Sequence, residues 1–237
     1  MPVSRATIAV DQRLIVALDV PSGAEARELV DTLGDSVGFY KVGLELFTGT
    51  DGFATVDWLS DNGKQVFVDL KFFDVPATVA RAVKQLRGRN ITFATVHGND
   101  AIMRAAAEAS DDVGILAVTV LTSLDSADMR DLGFDCDIPA LVRSRAERAV
   151  TLGCAGVVAS GEEAAVLRGS LGDRGVIVTP GIRPGQHDDD QKRAVTPTQA
   201  LHDGADYLVV GRPIRDADNP KAAAEAIQSE IHSALAL

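Results

Sequence analysis

Acidic and basic residues alternate in one short segment of the chain, residues 69–78, which reads DLKFFDVPAT. Asp69 and Lys71 are two positions apart, so in a β-strand their side chains would lie on the same face, with Asp74 in the loop beyond. A lysine flanked by carboxylates can donate a proton and can stabilise negative charge that develops beside it. The same spacing also suits a structural salt bridge at a strand end, and this segment alone does not decide between the two.

Further charged and polar residues fall where other predicted strands end. In a closed parallel barrel the carboxyl ends of all strands meet on one face, which carries the catalytic groups of barrel enzymes. The residues at these other strand ends are Asp19, Lys41, His97, Thr122, Arg183 and Arg212. Together with Asp69 and Lys71, they predict one polar site in which carboxylates stand beside several cations.

The elements that would position these residues alternate regularly along the chain. Short β-branched runs are separated by Ala- and Glu-rich amphipathic stretches, without a linker or a break in composition. We predict strands at residues 14–20, 37–43, 65–71, 91–98, 114–121, 155–160, 176–181 and 207–211. An open doubly wound sheet would show the same local pattern. The number of strands and the position of the polar residues favour an α/β fold with a single (β/α)8 TIM barrel domain over residues 1–237.

Helix boundaries are signalled by capping residues. Ser22 and Glu25 have the spacing of a capping box, and Gly34 would end that helix. The other helix signals are Pro76, Pro220, and the group Thr196, Pro197 and Gln199, whose helix would end at Gly204. The longest irregular stretches, residues 122–137 and 183–196, both follow strands, where the loops of a catalytic rim would lie.

Composition excludes some classes of function. A net charge of −11 and a pI near 4.7 argue against a nucleic-acid partner or an anionic membrane surface, because both recruit basic patches. No apolar run approaches the roughly 18 residues of a membrane span. The two cysteines, Cys136 and Cys154, have no metal-binding spacing and suit a reducing compartment. We therefore expect a soluble, cytoplasmic protein.

The strand-end motifs, taken in order, resemble the orotidine 5′-monophosphate decarboxylase family. The segment DLKFFDVPAT carries this resemblance together with ALD at 17–19, KVG at 41–43, LTS at 121–123, TPGIRP at 179–184 and VGRP at 210–213. The resemblance covers residues 14 to about 219. It implies decarboxylation of orotidine 5′-monophosphate (OMP) to uridine 5′-monophosphate (UMP) in de novo pyrimidine biosynthesis, by a homodimeric barrel that needs no metal and no cofactor.

The resemblance also implies roles for individual residues. Lys41, Asp69, Lys71 and Asp74 would form an alternating charged network, in which Lys71 stabilises and protonates a ring carbanion. Asp74 and Thr78 would reach the neighbouring site across the dimer interface. The other implied contacts are Asp19 and Lys41 to the ribose, Thr122 or Ser123 to the pyrimidine, and Arg183, Gln191, Gly211 and Arg212 to the phosphate.

The chain departs from the family pattern at two positions. Phe73 and Ala77 stand where many members have His and Asn. Neither position carries the acid–base role, so we expect the chemistry to survive, with different loop packing. His97 is followed by Gly-Asn-Asp instead of a small, Gly-rich turn, and we expect it to be a hydrogen-bonded structural residue.

Two other functions remain open from the sequence. A magnesium-dependent sugar-phosphate decarboxylase or aldolase can share the D-x-K-x-x-D pattern, but such enzymes typically carry an acid where this chain has Lys41, whose charge would repel the ion. A non-catalytic nucleotide-binding barrel is also conceivable, because a fold does not fix a function. Such a protein would be expected to lose Asp69 or Lys71 first, and both are present.

Overall fold

Eight parallel strands, hydrogen-bonded in sequence order, close into a barrel in the computed structural model, which describes residues 5–185 and 195–236. The first strand pairs with the last, for example Leu14 beside Leu208, and this pairing closes the sheet. The strands are β1 (Leu14–Ala17), β2 (Phe39–Gly43), β3 (Gln65–Phe72), β4 (Ile91–Val96), β5 (Gly114–Val118), β6 (Gly156–Val158), β7 (Val176–Thr179) and β8 (Tyr207–Val210).

Helices follow the strands and surround the barrel. In the described parts of the chain they are α1 (Gly23–Leu33), α2 (Leu44–Thr48), α3 (Gly52–Asp61), α4 (Pro76–Lys84), α5 (Asp100–Ala109), α6 (Ser126–Asp131), α7 (Ile138–Thr151), α8 (Gly161–Leu171), α9 (Pro197–His202), α10 (Arg212–Arg215) and α11 (Pro220–Leu235). Within these parts, no helix is long and apolar enough to cross a membrane. The predicted (β/α)8 TIM barrel is therefore confirmed.

The predicted strands are all present, but most are shorter than expected at their carboxyl ends. For example, the strand predicted over residues 91–98 ends at Val96, and the one predicted over 114–121 ends at Val118. The polar residues expected at these ends lie beyond the strands, Asp19, His97, Thr122 and Arg183 in the following loops and Arg212 at the start of α10. The second strand ends at Gly43 as predicted, and the third continues one residue further than predicted, to Phe72.

The predicted helix signals are largely confirmed. The Ser22 hydroxyl oxygen accepts from the Glu25 backbone N–H at 3.2 Å, and Gly34, with a φ of 54°, ends α1. The Ser22 hydroxyl also donates to the Glu25 carboxylate at 3.0 Å, so this is not the reciprocal capping box that the sequence predicted. Both proline signals and Thr196 open helices at the expected positions: α4, α11 and α9. The prediction of an irregular stretch over 122–137 is wrong in part, because α6 lies within it.

Aromatic rings fill the barrel interior below its carboxyl-terminal face. The Phe93 ring packs against Phe39, with ring centroids 5.9 Å apart, and against Tyr207 at 5.3 Å. Phe67 meets Phe93 edge-on at 6.2 Å. All four side chains are buried. They form a rigid apolar layer beneath the carboxyl-terminal face of the barrel, because close-packed interiors deform little.

A second ionic cluster lies towards the opposite, amino-terminal end of the barrel strands. Asp206, which precedes β8 and has no exposed surface, accepts hydrogen bonds from Arg5 Nε at 2.7 Å and from the Arg168 guanidinium. Its second oxygen also accepts from the Ile177 backbone N–H at 2.8 Å. Every oxygen of this buried carboxylate is therefore paired, as burial of a charge requires.

Candidate active site

A cavity of about 320 Å³ opens at the carboxyl ends of the strands. Eight of the residues that the sequence assigned to a site line it: Asp19, Lys41, Asp69, Lys71, Thr122, Arg183, Gly211 and Arg212. Its apolar lining includes Phe67, from the aromatic base, together with Val118, Val158 and Val209. The cavity therefore combines an apolar floor with charged groups from many strand ends, which is typical of a small-molecule site.

Four of these residues form a chain of alternating charges. The Lys41 ammonium donates to Asp19 Oδ1 at 2.9 Å and lies 3.7 Å from Asp69 Oδ2. The other oxygen of Asp69, Oδ1, accepts from the Lys71 ammonium at 2.9 Å. Each lysine is thus held by a carboxylate, and the order along the wall is Asp19, Lys41, Asp69, Lys71.

Exposure decreases towards the middle of this chain of charges. The side chains of Lys41 and Asp69 are 11% and 14% exposed, whereas those of Lys71 and Asp19 are 33% and 42% exposed. Burial alone would raise the pKa of Asp69, but the charges of Lys41 and Lys71 and hydrogen bonds from Lys71 and Thr95 outweigh it. The net result is a pKa of Asp69 below its ordinary value, so this carboxylate is ionised at neutral pH.

An irregularity in β3 brings Asp69 and Lys71 into the same cavity. Val68 pairs with Ala94, and Phe72 pairs with Val96. Between these two pairs β3 advances by four residues and β4 by only two. Lys71 lies inside this bulge with a φ of 49°, a left-handed conformation that is uncommon for residues other than glycine. The two side chains share a face as the sequence predicted, but a bulge, and not simple strand alternation, puts them there.

The far side of the cavity is basic. Arg183 is buried, and its backbone N–H donates to the Val195 carbonyl at 3.0 Å. Arg212 begins α10 directly after Gly211. Arg215, which was not predicted from the sequence, also lines the cavity and donates to the Asp19 carbonyl at 2.7 Å. Arg215 lies three residues after Arg212, and residues three apart are neighbours on a helix surface. This spacing could have identified Arg215 as a site residue.

Three assigned residues of the described part of the chain, Asp74, Thr78 and Ser123, do not line the cavity of the single chain. Asp74 is exposed in the loop after β3, where its Oδ1 accepts from the Val75 backbone N–H at 2.6 Å. Thr78 lies on α4 and accepts from Arg81 at 3.1 Å. Ser123 is exposed, so Thr122 is the member of that pair that faces the cavity. Gln191 lies outside the described residues.

His97 follows β4 and packs beside the charged residues. Its backbone N–H donates to the Phe72 carbonyl at 3.0 Å, and its ring meets the Phe73 ring at 5.5 Å between centroids. The pKa of His97 is lowered, mainly by burial and also by the positive charges of Arg145 and Lys71. A neutral packing residue agrees with the structural role expected for it.

Gly98 explains how Phe73 fits at this position. Its φ is 119°, and a Cβ atom there would come within 2.9 Å of the Phe73 ring and 2.7 Å of Ile102. A side chain at Gly98 would therefore displace Phe73. The Phe73 ring thus packs in the loop after β3 against Gly98 and the His97 ring.

In residues 5–185 and 195–236, no group of three or more His, Cys, Asp or Glu side chains could hold a metal ion. The carboxylates of Asp19 and Asp69 instead accept from lysines.

Comparisons with known proteins agree on one family. Residues 12–227 match the family model described as orotidine 5′-phosphate decarboxylase / HUMPS family. The chain is 60% identical over 235 residues to an orotidine 5′-phosphate decarboxylase of Methylococcus capsulatus, covering 98% of this chain and 97% of that protein. It is 53% identical over 229 residues to that of Stenotrophomonas maltophilia, with 95% of each covered. A crystal structure of orotidine 5′-phosphate decarboxylase from Lactobacillus acidophilus superposes with a TM-score of 0.83 at 36% identity, covering 93% of this chain and 99% of that one.

Proposed function

Because this chain belongs to the orotidine 5′-phosphate decarboxylase / HUMPS family, we propose that it converts OMP to UMP and carbon dioxide in pyrimidine biosynthesis, with neither metal nor cofactor. The reaction takes place in the cavity at the carboxyl ends of the strands, as in other barrel enzymes. We propose that it acts in the cytoplasm, a reducing compartment with which its two free thiols, Cys136 and Cys154, are compatible.

One observation carries the proposal: a lysine ammonium, held by a carboxylate, opens into a cavity whose other side carries arginines. Lys71 is fixed by Asp69 at 2.9 Å, and both line the cavity with Arg183 and Arg212. OMP has a matching distribution of groups, with a carboxylate on the pyrimidine ring and a phosphate at the other end. The ring would lie at the lysine and the phosphate at the arginines, whose guanidinium groups match phosphate geometry.

Decarboxylation needs a cation at the reacting carbon. The bond between C6 and the carboxylate breaks, carbon dioxide leaves, and the electron pair stays on C6 in the plane of the ring. The Lys71 ammonium stabilises this developing charge and then gives one proton to C6, which becomes the neutral C–H of UMP. Asp69 keeps Lys71 oriented and stands beside the substrate carboxylate, whose charge it repels before the reaction.

Repulsion by Asp69 is too small to account for catalysis alone. Two like charges about 4 Å apart repel by about 4 kcal/mol at an effective dielectric constant of 20, whereas enzymes typically lower barriers by ~8–23 kcal/mol. Binding energy from the phosphate end must supply much of the remainder. Arg183, Gln191, Gly211 and Arg212 are the proposed phosphate contacts, and Gly211 lets the anion approach the backbone closely.

The remaining substrate contacts follow from the positions along the wall. Asp19 and Lys41, joined at 2.9 Å, are suited to hold the ribose hydroxyls between the pyrimidine and phosphate ends. Thr122 faces the cavity and is the better candidate than Ser123 for a hydrogen bond to the pyrimidine. Hydrogen bonds of this kind fix the orientation of the ring relative to Lys71.

We propose that the active enzyme is a homodimer in which Asp74 and Thr78 complete the partner's site. Asp74 is exposed in the single chain and lies between two exposed apolar side chains, Phe73 and Val75, which are 69% and 62% exposed. Large apolar residues grouped on a surface favour an interface. An aspartate carried by such a segment would be delivered to the neighbouring subunit.

Subunit mixing tests the shared site. Lys71→Ala and Asp74→Ala dimers should each be inactive, but a hybrid has one site in which both residues are intact. Random exchange of equal amounts makes half of the dimers hybrids, so about one quarter of wild-type activity should return. If subunit exchange is demonstrated by mass spectrometry and no activity returns, the sites are not shared.

The overall function is tested by following the loss of OMP absorbance in the presence of a chelator such as EDTA. We expect full activity, with UMP as product. Failure to consume OMP would contradict the proposed reaction. OMP decarboxylation that disappears with EDTA and returns with Mg²⁺ would contradict the metal-free part of the proposal.

A further inference from the structure

Thr95 occupies the point at which the ladder between β3 and β4 is interrupted. The bulge at residues 69–71 removes the regular pairing between Val68 and Phe72. The Lys71 backbone N–H donates instead to the Thr95 hydroxyl oxygen at 2.9 Å. Thr95 has no exposed surface, so water cannot serve as the acceptor for the Lys71 amide here. The Thr95 hydroxyl takes the place of the missing backbone acceptor.

The same hydroxyl also forms a hydrogen bond with Asp69, a member of the chain of charges in the cavity. Thr95 Oγ1 donates to Asp69 Oδ1 at 2.8 Å, and this is the oxygen that accepts from the Lys71 ammonium. A threonine hydroxyl has one proton, and here it is directed at Asp69. The direction of both hydrogen bonds is therefore fixed: from the Lys71 amide to Thr95, and from Thr95 to an ionised Asp69.

We infer that Thr95 is a positioning residue for the proposed decarboxylation, which holds the Lys71 backbone in its left-handed conformation and Asp69 in its ionised, oriented form. The inference rests on the proposed function, because it concerns the groups assigned to proton transfer. It assigns Thr95 no contact with the substrate.

The second hydrogen bond matters most after proton transfer. When Lys71 has given its proton to C6 it is a neutral amine, and Asp69 loses the charge of its nearer lysine. Lys41, at 3.7 Å, and the Thr95 hydroxyl then remain to hold Asp69 ionised. Asp69 thus stays a carboxylate while Lys71 is neutral, and Lys71 can be reprotonated from solvent.

The experiment compares Thr95→Val, which has nearly the same shape but no hydroxyl, with Thr95→Ser, which keeps the hydroxyl. We expect Thr95→Val to lower kcat by about 10- to 100-fold, since hydrogen bonds to charged groups are the strong ones. KM should change by no more than roughly threefold, because the phosphate contacts are untouched. Thr95→Ser should recover most of kcat.

The pH profile separates positioning from a merely structural role. The charged groups beside Asp69 are Lys41 on β2 and Lys71 on β3; Asp19 lies behind Lys41, and His97 and Arg145 lie near Lys71. Removal of the Thr95 donor raises the pKa of Asp69, so the acid limb of kcat should move to higher pH in Thr95→Val and return in Thr95→Ser.

Thr119→Val is the matched control. Thr119 is equally buried, follows β5, and donates to the Val158 carbonyl at 3.1 Å, away from the charged network. It should lose a similar amount of stability and keep the wild-type acid limb. If Thr95→Val unfolds, Thr95→Ala takes its place with the same expectations.

Three results would overturn the inference: an unchanged kcat in Thr95→Val, an acid limb that does not move, or no recovery in Thr95→Ser. The proposed function is tested separately by the wild type. If the wild type does not consume OMP, that function fails. The role of Thr95 can then be tested by measuring the pKa of the Asp69 carboxyl group by NMR. An equal pKa of Asp69 in the wild type and in Thr95→Val would refute that role.

Discussion

Asp69→Asn is the substitution whose effect can be worked out most fully from the structure. The carboxylate lies 2.9 Å from the Lys71 ammonium and 3.7 Å from that of Lys41. At an effective dielectric constant of 20, Coulomb's law gives about 6 kcal/mol for the first pair and about 4.5 kcal/mol for the second. These values exceed the net contribution of Asp69 to stability. The wild type also bears the cost of burying the Asp69 carboxylate, and solvent screens Lys71, which is one-third exposed. Breaking a buried pair typically costs ~3–5 kcal/mol, so we expect a loss of about 3 kcal/mol.

The dependence of this loss on pH follows from the direction of the pKa shift. Asp69 has a lower pKa in the folded protein than its ordinary value, about 3.9 in an unfolded chain. Its ionised form therefore stabilises the fold above that value, and the contribution disappears as the pH falls through the folded pKa. The difference in unfolding free energy between wild type and Asp69→Asn should be complete at pH 7 and should shrink below about pH 4.

Urea unfolding at fixed protein concentration measures this difference, because the stability of an oligomer depends on concentration. Steady-state kinetics on the same samples should show kcat lowered strongly, with KM unchanged or lower. A lower KM would follow if Asp69 repels the substrate carboxylate in the ground state. Equal stability of the two proteins at pH 7, or a difference that grows on acidification, would refute the electrostatic reasoning.

Two further substitutions test the two ends of the barrel. Arg212→Ala should lower kcat/KM by at least ~100-fold, because it removes charged hydrogen bonds to the phosphate; a near-wild-type kcat/KM in steady-state assays would exclude this role. Asp206→Asn removes a buried carboxylate that holds Arg5 and Arg168 towards the opposite end. It should cost about 3–5 kcal/mol in urea unfolding and leave kcat within roughly twofold; a large loss of kcat in folded protein would show that the two ends are coupled.

The fold was predictable because its signals are local and repeated. Eight β-branched runs, spaced by amphipathic stretches, predicted the barrel, and capping residues such as Ser22 and Thr196 located helix starts. Strand ends were less predictable, because the chain leaves the sheet where polar groups meet solvent and neighbouring loops. The short helix α6 was missed although Asp125 and Asp128, which form its capping box, have the spacing of a helix start, because a helix of six residues depends on tertiary contacts for its stability.

The site was predictable to the extent that its residues are charged and end a strand. Asp19, Lys41, Asp69 and Lys71 met both conditions, and the structure brings them together. Thr95 met neither, because it is a neutral residue inside an apolar strand. Its role comes from a bulge in β3, and the register between two strands is a property of the pair, which one strand's sequence does not reveal.

The most direct test of the central claim is the kcat of Lys71→Ala, measured together with its affinity for UMP. Alanine occupies the same left-handed backbone conformation at no smaller cost than lysine, so the substitution removes the ammonium without relieving the bulge. We predict that decarboxylation is abolished while circular dichroism and UMP binding stay close to wild type. Substantial residual decarboxylation would contradict the assignment of Lys71 as the proton donor, and loss of the fold would show that its pairing with Asp69 is structural.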